Sequence, residues 1–314
     1  MLKIANLNEE SHMIRIGTRN SPLALWQAQE VEQKLKNLGY ETLLVPVISS
    51  GDKNLNQPLY SLGITGVFTK DLDIALLNNE IDIAVHSLKD VPTILPQNIQ
   101  ISAVLERDFP QDVLVRKSTS KGKSLSELKI ATSSLRRRAF WLEQFPNTVF
   151  SDIRGNVQTR LNKLEEGDFD ATIFSLAGIK RMDMELEYEF LDFMISAPSQ
   201  GVVAIASRGD DEGITKLLQN INHRETQICT EIERNFLRTL EGGCTAPIGA
   251  LAKIENDKIT FKGKLNSLNG NQTVILEKEI EWNDSENFGE NFAEIILENG
   301  GKELMVEIKR HLNP

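Results

Sequence analysis

The chain has 314 residues, of which 40% are hydrophobic and 25% are charged, so disordered and fibrous classes are excluded and two or three domains can each have a core. The formal net charge of −10 at pH 7 argues against general binding to nucleic acid or to an anionic membrane, because both need a basic surface. An anionic ligand must therefore be met by a local cluster of basic side chains.

The N-terminal part of the chain has the pattern of an α/β unit. Ser21 followed by Pro22 is typical of a helix N-cap with proline at the first helical position, and this helix is predicted to end at Gly39. The polar loop 51–66, which contains three glycines, is a candidate mobile lid. The β-α-β-α-β order has the connection lengths of a parallel sheet. The predicted elements are strands at 14–16, 42–48 and 81–85 and helices at 22–39 and 67–79.

A second α/β unit is predicted from Asp112 onward. Ligands of open α/β sheets bind outside the carboxyl ends of the strands, and two such units side by side place this crevice between them. Asp90 and the turn at 133–138 both map to the crevice. The predicted elements are strands at 113–115, 129–131, 148–150 and 171–174 and helices that begin near 133 and at 157.

The rest of the chain is predicted to complete the first unit and then to form a smaller α+β domain. The turn Asn269-Gly270 lies between alternating strands, as in a hairpin. The fold class is therefore two α/β domains with a crevice between them, followed by an α+β domain. The predicted elements are an apolar stretch at 202–206 and helices at 214–219, 226–240 and 291–310. The predicted domains are 14–108 with a return segment at 202–222, then 109–201, and then 225–314.

A cluster of arginines follows the predicted strand at 129–131. Five arginines and no lysine lie between Thr132 and Arg160, in a chain that is acidic overall. A guanidinium group grips carboxylates or phosphates bidentately in a fixed geometry, so arginine without lysine favours recognition of a polyanion over a solvated helix face. Arg154, at a strand exit, and Arg160, six residues further on, are expected to face the same crevice.

The turn at 132–134 joins the end of a strand to the start of a helix, where backbone N–H groups and the helix dipole already favour an anion. Successive helical residues turn by about 100°, so three consecutive arginines cannot share one ligand face. Arg136 and Arg137 are therefore the predicted ligand contacts, and Arg138 is left to solvent.

Two other residues have alternative interpretations. Asp90 precedes Val91-Pro92 and is either a turn residue ahead of a proline or a carboxylate that faces a developing positive charge. Cys244 follows two glycines and is either a small buried apolar residue or the attachment point of a bulky adduct, for which the glycines leave room. The local pattern alone leaves both alternatives open.

Three common site motifs are missing from the sequence. Gly122-Lys123-Ser124 imitates the end of a phosphate-binding P-loop, but Lys117 stands where the first glycine is required. The four histidines are scattered and the two cysteines form no C-x-x-C pair, so no metal site is predicted. A G-x-S-x-G nucleophile elbow is also missing.

Seven motifs span nearly the whole chain. They are RIGTRNSPLALWQA (15–28), GVFTK (66–70), DIAVHSLKDVP (82–92), TSSLRRR (132–138), RGNVQTRL (154–161), AGIKR (177–181) and EGGCTAPIG (241–249). Their order and distances together argue against coincidence. They resemble the motifs of the porphobilinogen deaminase family, also called hydroxymethylbilane synthases.

The resemblance implies a transferase of tetrapyrrole (haem) biosynthesis that joins four porphobilinogen molecules head to tail, releases ammonia at each addition and finally hydrolyses off linear hydroxymethylbilane. It also implies a dipyrromethane cofactor, which is bound covalently by the cysteine of the GGC motif, here Cys244. Each pyrrole carries an acetate and a propionate, which accounts for an arginine-lined crevice. Asp90 is assigned as the catalytic carboxylate that stabilises the cation formed when ammonia leaves.

The resemblance also assigns the binding residues. Phe68 is a candidate wall for substrate stacking, with helix-core packing as an equally good alternative. Three positions depart from the family pattern: Thr65 replaces a lysine of many members, Ser199 replaces a glycine and Ala206 replaces an acidic residue. We expect these departures to modulate loop behaviour or packing. The implied binding residues are Arg19, Ser21, Phe68, Ser87, Lys89, Thr132, Ser133, Ser134, Arg136, Arg137, Arg154, Gly155, Arg160, Arg181 and Gln200.

A binding module is the main alternative function, because the first 220 residues predict a two-lobed α/β architecture like that of periplasmic binding proteins, and fold alone does not fix function. Residues 1–13 carry Glu9 and Glu10 where a signal peptide would be apolar, and no apolar run approaches roughly 18 residues. Two cysteines fit a reducing compartment. We therefore expect a cytoplasmic enzyme that acts on porphobilinogen, with no nucleic-acid or membrane partner. The resemblance further implies a monomer.

Overall fold

The computed structural model describes residues 13–48, 69–240, 246–282 and 287–312. The predicted lid at 51–66, the candidate stacking residue Phe68 and the predicted attachment residue Cys244 lie outside the described residues, as does Thr65. The described residues form three sheets, each with its own helices. We refer to the sheets with their helices as the first, second and third units, in the order in which their first strands occur.

The first unit is a five-stranded sheet with helices on both faces. It consists of strands β1 (Ile14–Arg19), β2 (Thr42–Val47), β3 (Ile83–Ser87), β4 (Ile99–Val104) and β10 (Val203–Arg208) and helices α1 (Pro22–Asn37), α2 (Lys70–Leu77) and α6 (Glu212–Leu218). The strand order is β2-β1-β3-β10-β4. β1 is parallel to β2 and β3, as predicted, and β10 is antiparallel to β3 and β4. The apolar stretch 202–206 thus contributes to β10 of this sheet, whereas β4 was not predicted.

The second unit repeats this arrangement. It consists of strands β5 (Asp112–Arg116), β6 (Ile130–Ala131), β7 (Phe150–Ser151), β8 (Ala171–Ser175) and β9 (Glu189–Phe190) and helices α3 (Leu135–Gln144), α4 (Val157–Glu166) and α5 (Leu176–Arg181). The strand order is β7-β6-β8-β5-β9. β6 is parallel to β7 and β8, and β5 is antiparallel to β8 and β9. The fold class of paired mixed α/β units is therefore confirmed.

The third unit is an antiparallel sheet covered on one face by helices. It consists of strands β11 (Ile248–Glu255), β12 (Lys258–Asn266) and β13 (Thr273–Glu281) and helices α7 (Arg224–Thr239), α8 (Phe288–Ile296) and α9 (Lys302–Leu312). Ile232 and Phe236 of α7 pack with Phe261 and Phe292 in its core. The prediction of one helix at 291–310 is wrong, because Gly300 adopts a φ of 99° and breaks it into α8 and α9.

The chain crosses between the first and second units twice, at 105–111 and at 191–202. The crossings run side by side, and the Asp108 N–H donates to the Gly201 carbonyl at 3.1 Å. Gly201 has a φ of +85°, and a Cβ there would lie 3.0 Å from the Phe109 carbonyl oxygen, so the close approach requires glycine. No helix within the described ranges is long and apolar enough to cross a membrane.

Candidate anion-binding active site

The site lies at the carboxyl ends of the parallel strands of the first two units. In the first unit, β1 ends at Arg19 and β3 ends at Ser87. In the second unit, β6 ends at Ala131 and β8 ends at Ser175. This edge is where open α/β sheets bind ligands, because the loops that follow the strands converge there.

Lys89 and Asp90 belong to a single 3₁₀ turn, Leu88–Asp90, that follows β3. Nζ of Lys89 donates to Oε1 of Gln200 at 3.3 Å. Burial is the main cause that lowers the pKa of Lys89 to about 8; the charge of Asp90 opposes this change and that of Arg137 adds to it. Lys89 of the first unit therefore belongs to the same electrostatic cluster as the arginines of the second unit.

Asp112, at the start of β5, is the centre of that cluster. Nη2 of Arg137 donates to its Oδ1 at 2.7 Å, and Nη2 of Arg136 lies 2.7 Å from its Oδ2. Nε2 of Gln200 also donates to Oδ1, at 3.1 Å. Burial alone would raise the pKa of Asp112, but the charges and hydrogen bonds of the two arginines outweigh it and hold that pKa well below the ordinary range.

Asp112 was not among the predicted site residues. The only signal in the sequence is an acid at the head of the apolar run Val113-Leu114-Val115, which the pattern assigns to a buried strand. A buried acid needs a cationic partner. Its partners are more than twenty residues away along the chain, so the local pattern does not reveal them.

The three consecutive arginines divide between two environments. Arg136 donates to the Ile195 carbonyl at 2.6 Å, and Arg137 donates to the Ile173 carbonyl at 2.8 Å, so both are anchored inside the cluster. Arg138 points elsewhere, to the half-exposed carboxylate of Asp152 at 2.7 Å. This separation follows from the helical turn of about 100° per residue.

Arg160 lies next to Arg137 on the second unit. Its Nη2 donates to Thr172 Oγ1 at 2.9 Å and to the Ile173 carbonyl at 2.7 Å, and its guanidinium lies 4.2 Å from the Phe174 ring centroid. Burial, with a smaller effect of the Arg137 charge, lowers the pKa of Arg160 to about 9. Its buried Nε has no hydrogen-bond partner among the described residues.

Arg154 and Gly155 form the turn that leads into α4. Gly155 has a φ of +119°, and a Cβ there would lie 2.6 Å from the Thr159 side chain, so this turn requires glycine. Asn156 then caps the helix by accepting the Thr159 N–H. Arg154 is half-buried, and its backbone carbonyl accepts a hydrogen bond from Lys163 at 3.0 Å.

The predicted hydroxyl ligands are engaged in local structure. Ser134 caps α3 by accepting the Arg137 N–H, and Thr132 Oγ1 accepts the Ser134 N–H at 3.3 Å. Ser133 Oγ both donates to the Ile153 carbonyl and accepts its N–H, each at 3.0 Å. These hydroxyls hold the loop that presents the arginines, and an anion there would share them with the backbone.

The first unit contributes a cation and two polar residues at the same edge. The pKa of His86 is lowered to about 4, mainly by burial and also by the charge of Arg19, so Arg19 lies near the end of β3. Ser21 caps α1 by accepting the Ala24 N–H, as predicted. Ser87 Oγ accepts a hydrogen bond from Gln27 Nε2 at 2.9 Å.

Arg181 lies where the chain crosses between units. Its Nε donates to Asp108 at 2.7 Å, its Nη2 donates to the Gly201 carbonyl at 2.7 Å, and its guanidinium lies 5.5 Å from the Trp26 ring centroid. Asp108 and Gly201 belong to the two crossings, and Trp26 belongs to α1. Arg181 therefore joins the second unit to the crossings and to the first unit.

The cluster suits a ligand with several carboxylates. A guanidinium has five N–H groups. Arg137 uses three of them, because its Nε also donates to Asp112 Oδ1, at 3.2 Å. The buried Nε of Arg160 has no partner among the described residues. The other N–H groups of these side chains are candidate donors to a ligand, and Lys89 lies within the same electrostatic cluster. The fold is that of a two-lobed α/β protein, and its buried guanidinium cluster has the donors that a polycarboxylate ligand requires.

The comparisons with known proteins give the family. Residues 14–216 match the family model described as "Porphobilinogen deaminase, dipyromethane cofactor binding domain", and residues 227–298 match "Porphobilinogen deaminase, C-terminal domain". The "Porphobilinogen deaminase" of Desulfitobacterium hafniense is 41% identical over 95% of this chain and 98% of its own length. The "Probable porphobilinogen deaminase" of Methanocaldococcus jannaschii is 50% identical over 80% of this chain and 87% of its own length. The chain belongs to the porphobilinogen deaminase family.

Two of the solved structures that match this chain have low sequence identity to it. The probable amino-acid ABC transporter extracellular-binding protein ytmK from Bacillus subtilis is 14% identical, with a TM-score of 0.41 over 68% of this chain and 92% of its own. A putative ABC transporter binding component from Wolinella succinogenes, complexed with lysine, is 17% identical, with a TM-score of 0.37 over 66% of this chain and 87% of its own.

Proposed function

We propose that the chain is a hydroxymethylbilane synthase. It condenses four porphobilinogen molecules head to tail onto a covalently bound dipyrromethane cofactor, releases ammonia at each addition, and then hydrolyses off linear hydroxymethylbilane. Membership of the family supports this reaction. The observation that carries the proposal is the buried guanidinium cluster of Arg136, Arg137 and Arg160 beside the turn that holds Lys89 and Asp90.

The arginines and Lys89 are proposed to hold the carboxylates of the cofactor and of the growing chain. Cys244 is the proposed attachment residue. When bound, the cofactor supplies the pyrrole to which the first substrate is joined. Arg136 and Arg137 form ion pairs with Asp112, so their guanidinium groups are fixed in place before a ligand binds. Such preorganised donors do not have to be reoriented during the reaction.

Asp90 is the proposed catalytic residue. Loss of ammonia leaves a positive charge on the substrate, and a fixed carboxylate next to the pyrrole nitrogen stabilises that charge and accepts or returns protons. Lys89, the residue before Asp90, places a positively charged side chain on the same turn. Arg19, Ser21, Ser87, Ser133 and Gln200 are proposed to complete the binding surface.

We also propose a cytoplasmic monomer with the three domains 14–108 with 202–222, 109–201 and 225–314. Three separate sheets support this division, and the hydrophobic clusters of the first and third units contain residues from only one sheet each. Size-exclusion chromatography with light scattering measures the oligomeric state directly.

Intact mass and turnover of the purified protein test the function. We expect the wild type to exceed the mass of its polypeptide by a dipyrromethane, the Cys244→Ser variant to lack this adduct, and the Asp90→Asn variant to retain it with turnover nearly eliminated. Cys229→Ala is the matched control and should keep the adduct, because Cys229 is buried in the third core. A catalytically active wild type with the bare polypeptide mass would contradict the proposal.

A further inference from the structure

Helix α7 of the third unit connects the proposed cofactor attachment to the first unit. Its apolar face, which includes Ile228, Ile232 and Phe236, is fixed in the core of the third unit. The helix ends at Thr239, and Cys244 follows five residues later in the chain. A side chain of α7 that forms hydrogen bonds to the first unit therefore connects that unit, through the chain, to the segment that carries Cys244.

Arg234 is such a side chain. Its Nη1 donates to the Val91 carbonyl at 2.9 Å and, at 3.4 Å, to the Leu88 carbonyl. Its Nη2 donates to the Pro92 carbonyl at 2.6 Å. These carbonyls lie immediately before and after Lys89 and Asp90, so one guanidinium of the third unit holds both ends of the turn that carries them.

The turn has little internal support of its own. Within it, the Val91 N–H donates to the Leu88 carbonyl at 3.1 Å, and Ser87 makes no side-chain cap. A 3₁₀ turn of three residues has poorer hydrogen-bond geometry than a helix. Pro92 lacks an N–H group, so it cannot donate a bond that would extend the turn. The charge-assisted bonds from Arg234 are therefore the restraint that the third unit adds to the backbone at Asp90, beside the burial of Leu88 and Val91 in an apolar cluster of the first unit.

We propose that Arg234 is a positioning residue that sets the Asp90 carboxylate relative to the cofactor-bearing unit. This inference rests on the proposed function of Asp90. A planar guanidinium reaches several carbonyls at once, which an ammonium group cannot do with the same geometry. The neighbouring surface arginine of α7, Arg238, instead pairs with the half-exposed Glu290 at 2.7 Å.

Arg234→Met and Arg234→Lys test the proposal in the holoenzyme, with Arg238→Met as the matched control. We expect both Arg234 variants to carry the adduct by intact mass. For Arg234→Met we expect kcat to fall about 10- to 100-fold with KM changed less than about threefold, because a displacement of about 1 Å costs this much. Arg234→Lys should lie between, and Arg238→Met should match the wild type.

A second measurement separates positioning from a general structural role. If Arg234 acts through Asp90, adding Arg234→Met to an Asp90→Glu variant, whose carboxylate is already displaced, should lower kcat by less than about twofold more. The proposal would be overturned if the loss of kcat in the double variant equalled the product of the losses in the two single variants. An unchanged kcat in Arg234→Met would also overturn it, as would loss of the adduct from Arg234→Lys. Each of these outcomes leaves wild-type turnover intact, so it is distinct from failure of the proposed function.

Discussion

The pKa of the buried Lys89 amine depends on whether an anionic ligand is bound beside it. Its pKa is lowered from 10.5 to about 8, mainly because of burial. Between these values the unfolded chain binds the proton that the folded chain has lost, so the contribution of Lys89 to stability rises as the pH increases through this window. Bound carboxylates favour the charged amine and counteract the effect of burial.

We therefore expect Lys89 to titrate at a higher pH in the cofactor-loaded wild type than in Cys244→Ser, where the midpoint should be about 8. NMR of ¹³C-methylated lysine amines measures both midpoints, and Lys89→Arg assigns the resonance. Equal midpoints for Lys89 would contradict its placement beside the cofactor carboxylates.

Local roles were predictable at the residue scale, and long-range roles were not. Ser21 caps a helix by accepting the backbone N–H of the residue three positions later, so its role can be predicted from the adjacent sequence. Ser199 shows the opposite case: its φ of +66° explains why glycine is usual at this position, but its N–H donates to the distant Glu233. The centre of the cluster, Asp112, was missed for the same reason.

At the scale of elements, the Asp112 cluster fixes β5 to α3. Two guanidiniums of α3 converge on one carboxylate of β5, and all three side chains are almost completely buried. Removing one member of a buried ion cluster leaves the others uncompensated, which costs more than the net value of the intact cluster. Anionic ligand bound to the same guanidiniums would replace part of the missing charge.

We expect Asp112→Asn to lower the free energy of unfolding by about 3 to 5 kcal/mol in the Cys244→Ser background. The loss should be smaller in the cofactor-loaded protein. Urea denaturation measures both. Asp152→Asn is the matched control, because Asp152 pairs with Arg138 at the surface, where such a pair is worth at most about 1 kcal/mol. A loss no greater than that of the control would show that Asp112 does not hold the arginines.

Strands and helices with a strong local pattern were predicted, and elements defined by their neighbours were not. α4 is observed at Val157–Glu166 and was predicted to begin at 157, because its cap and periodicity are local. β9 has only two residues and exists through its pairing with β5. The final helix breaks because Gly300 permits a left-handed turn that the periodicity of the flanking residues does not reveal.

At the scale of the whole molecule, Glu233 joins all three units at one point. Its carboxylate accepts hydrogen bonds from Arg107 Nη2 at 2.8 Å, from the Ser199 N–H at 2.6 Å and from the Ala252 N–H at 2.7 Å. Arg107 and Ser199 belong to the two crossings, while Ala252 lies in β11. Burial raises the pKa of Glu233, an effect that the charge of Arg107 and these bonds oppose.

The three tryptophans allow the coupling between units to be measured. Trp26 lies in α1, Trp141 lies in α3 and Trp282 follows β13, so each unit contains one. Variants that retain a single tryptophan report the unfolding of one unit by fluorescence. If the junction at Glu233 couples the units, their urea transitions coincide in the otherwise unchanged protein.

We expect Glu233→Gln to separate these transitions and to lower the free energy of unfolding of the least stable unit by about 3 kcal/mol, because Arg107 then keeps a buried charge without its partner. Glu231→Gln makes the same chemical change on the exposed face of α7 and should leave the transitions coincident within about 0.5 kcal/mol. Coincident transitions in Glu233→Gln would mean that the remaining contacts between units suffice for cooperative unfolding. The coupling would then depend on those contacts, and Arg181, which bonds to both crossings, is the next residue to change.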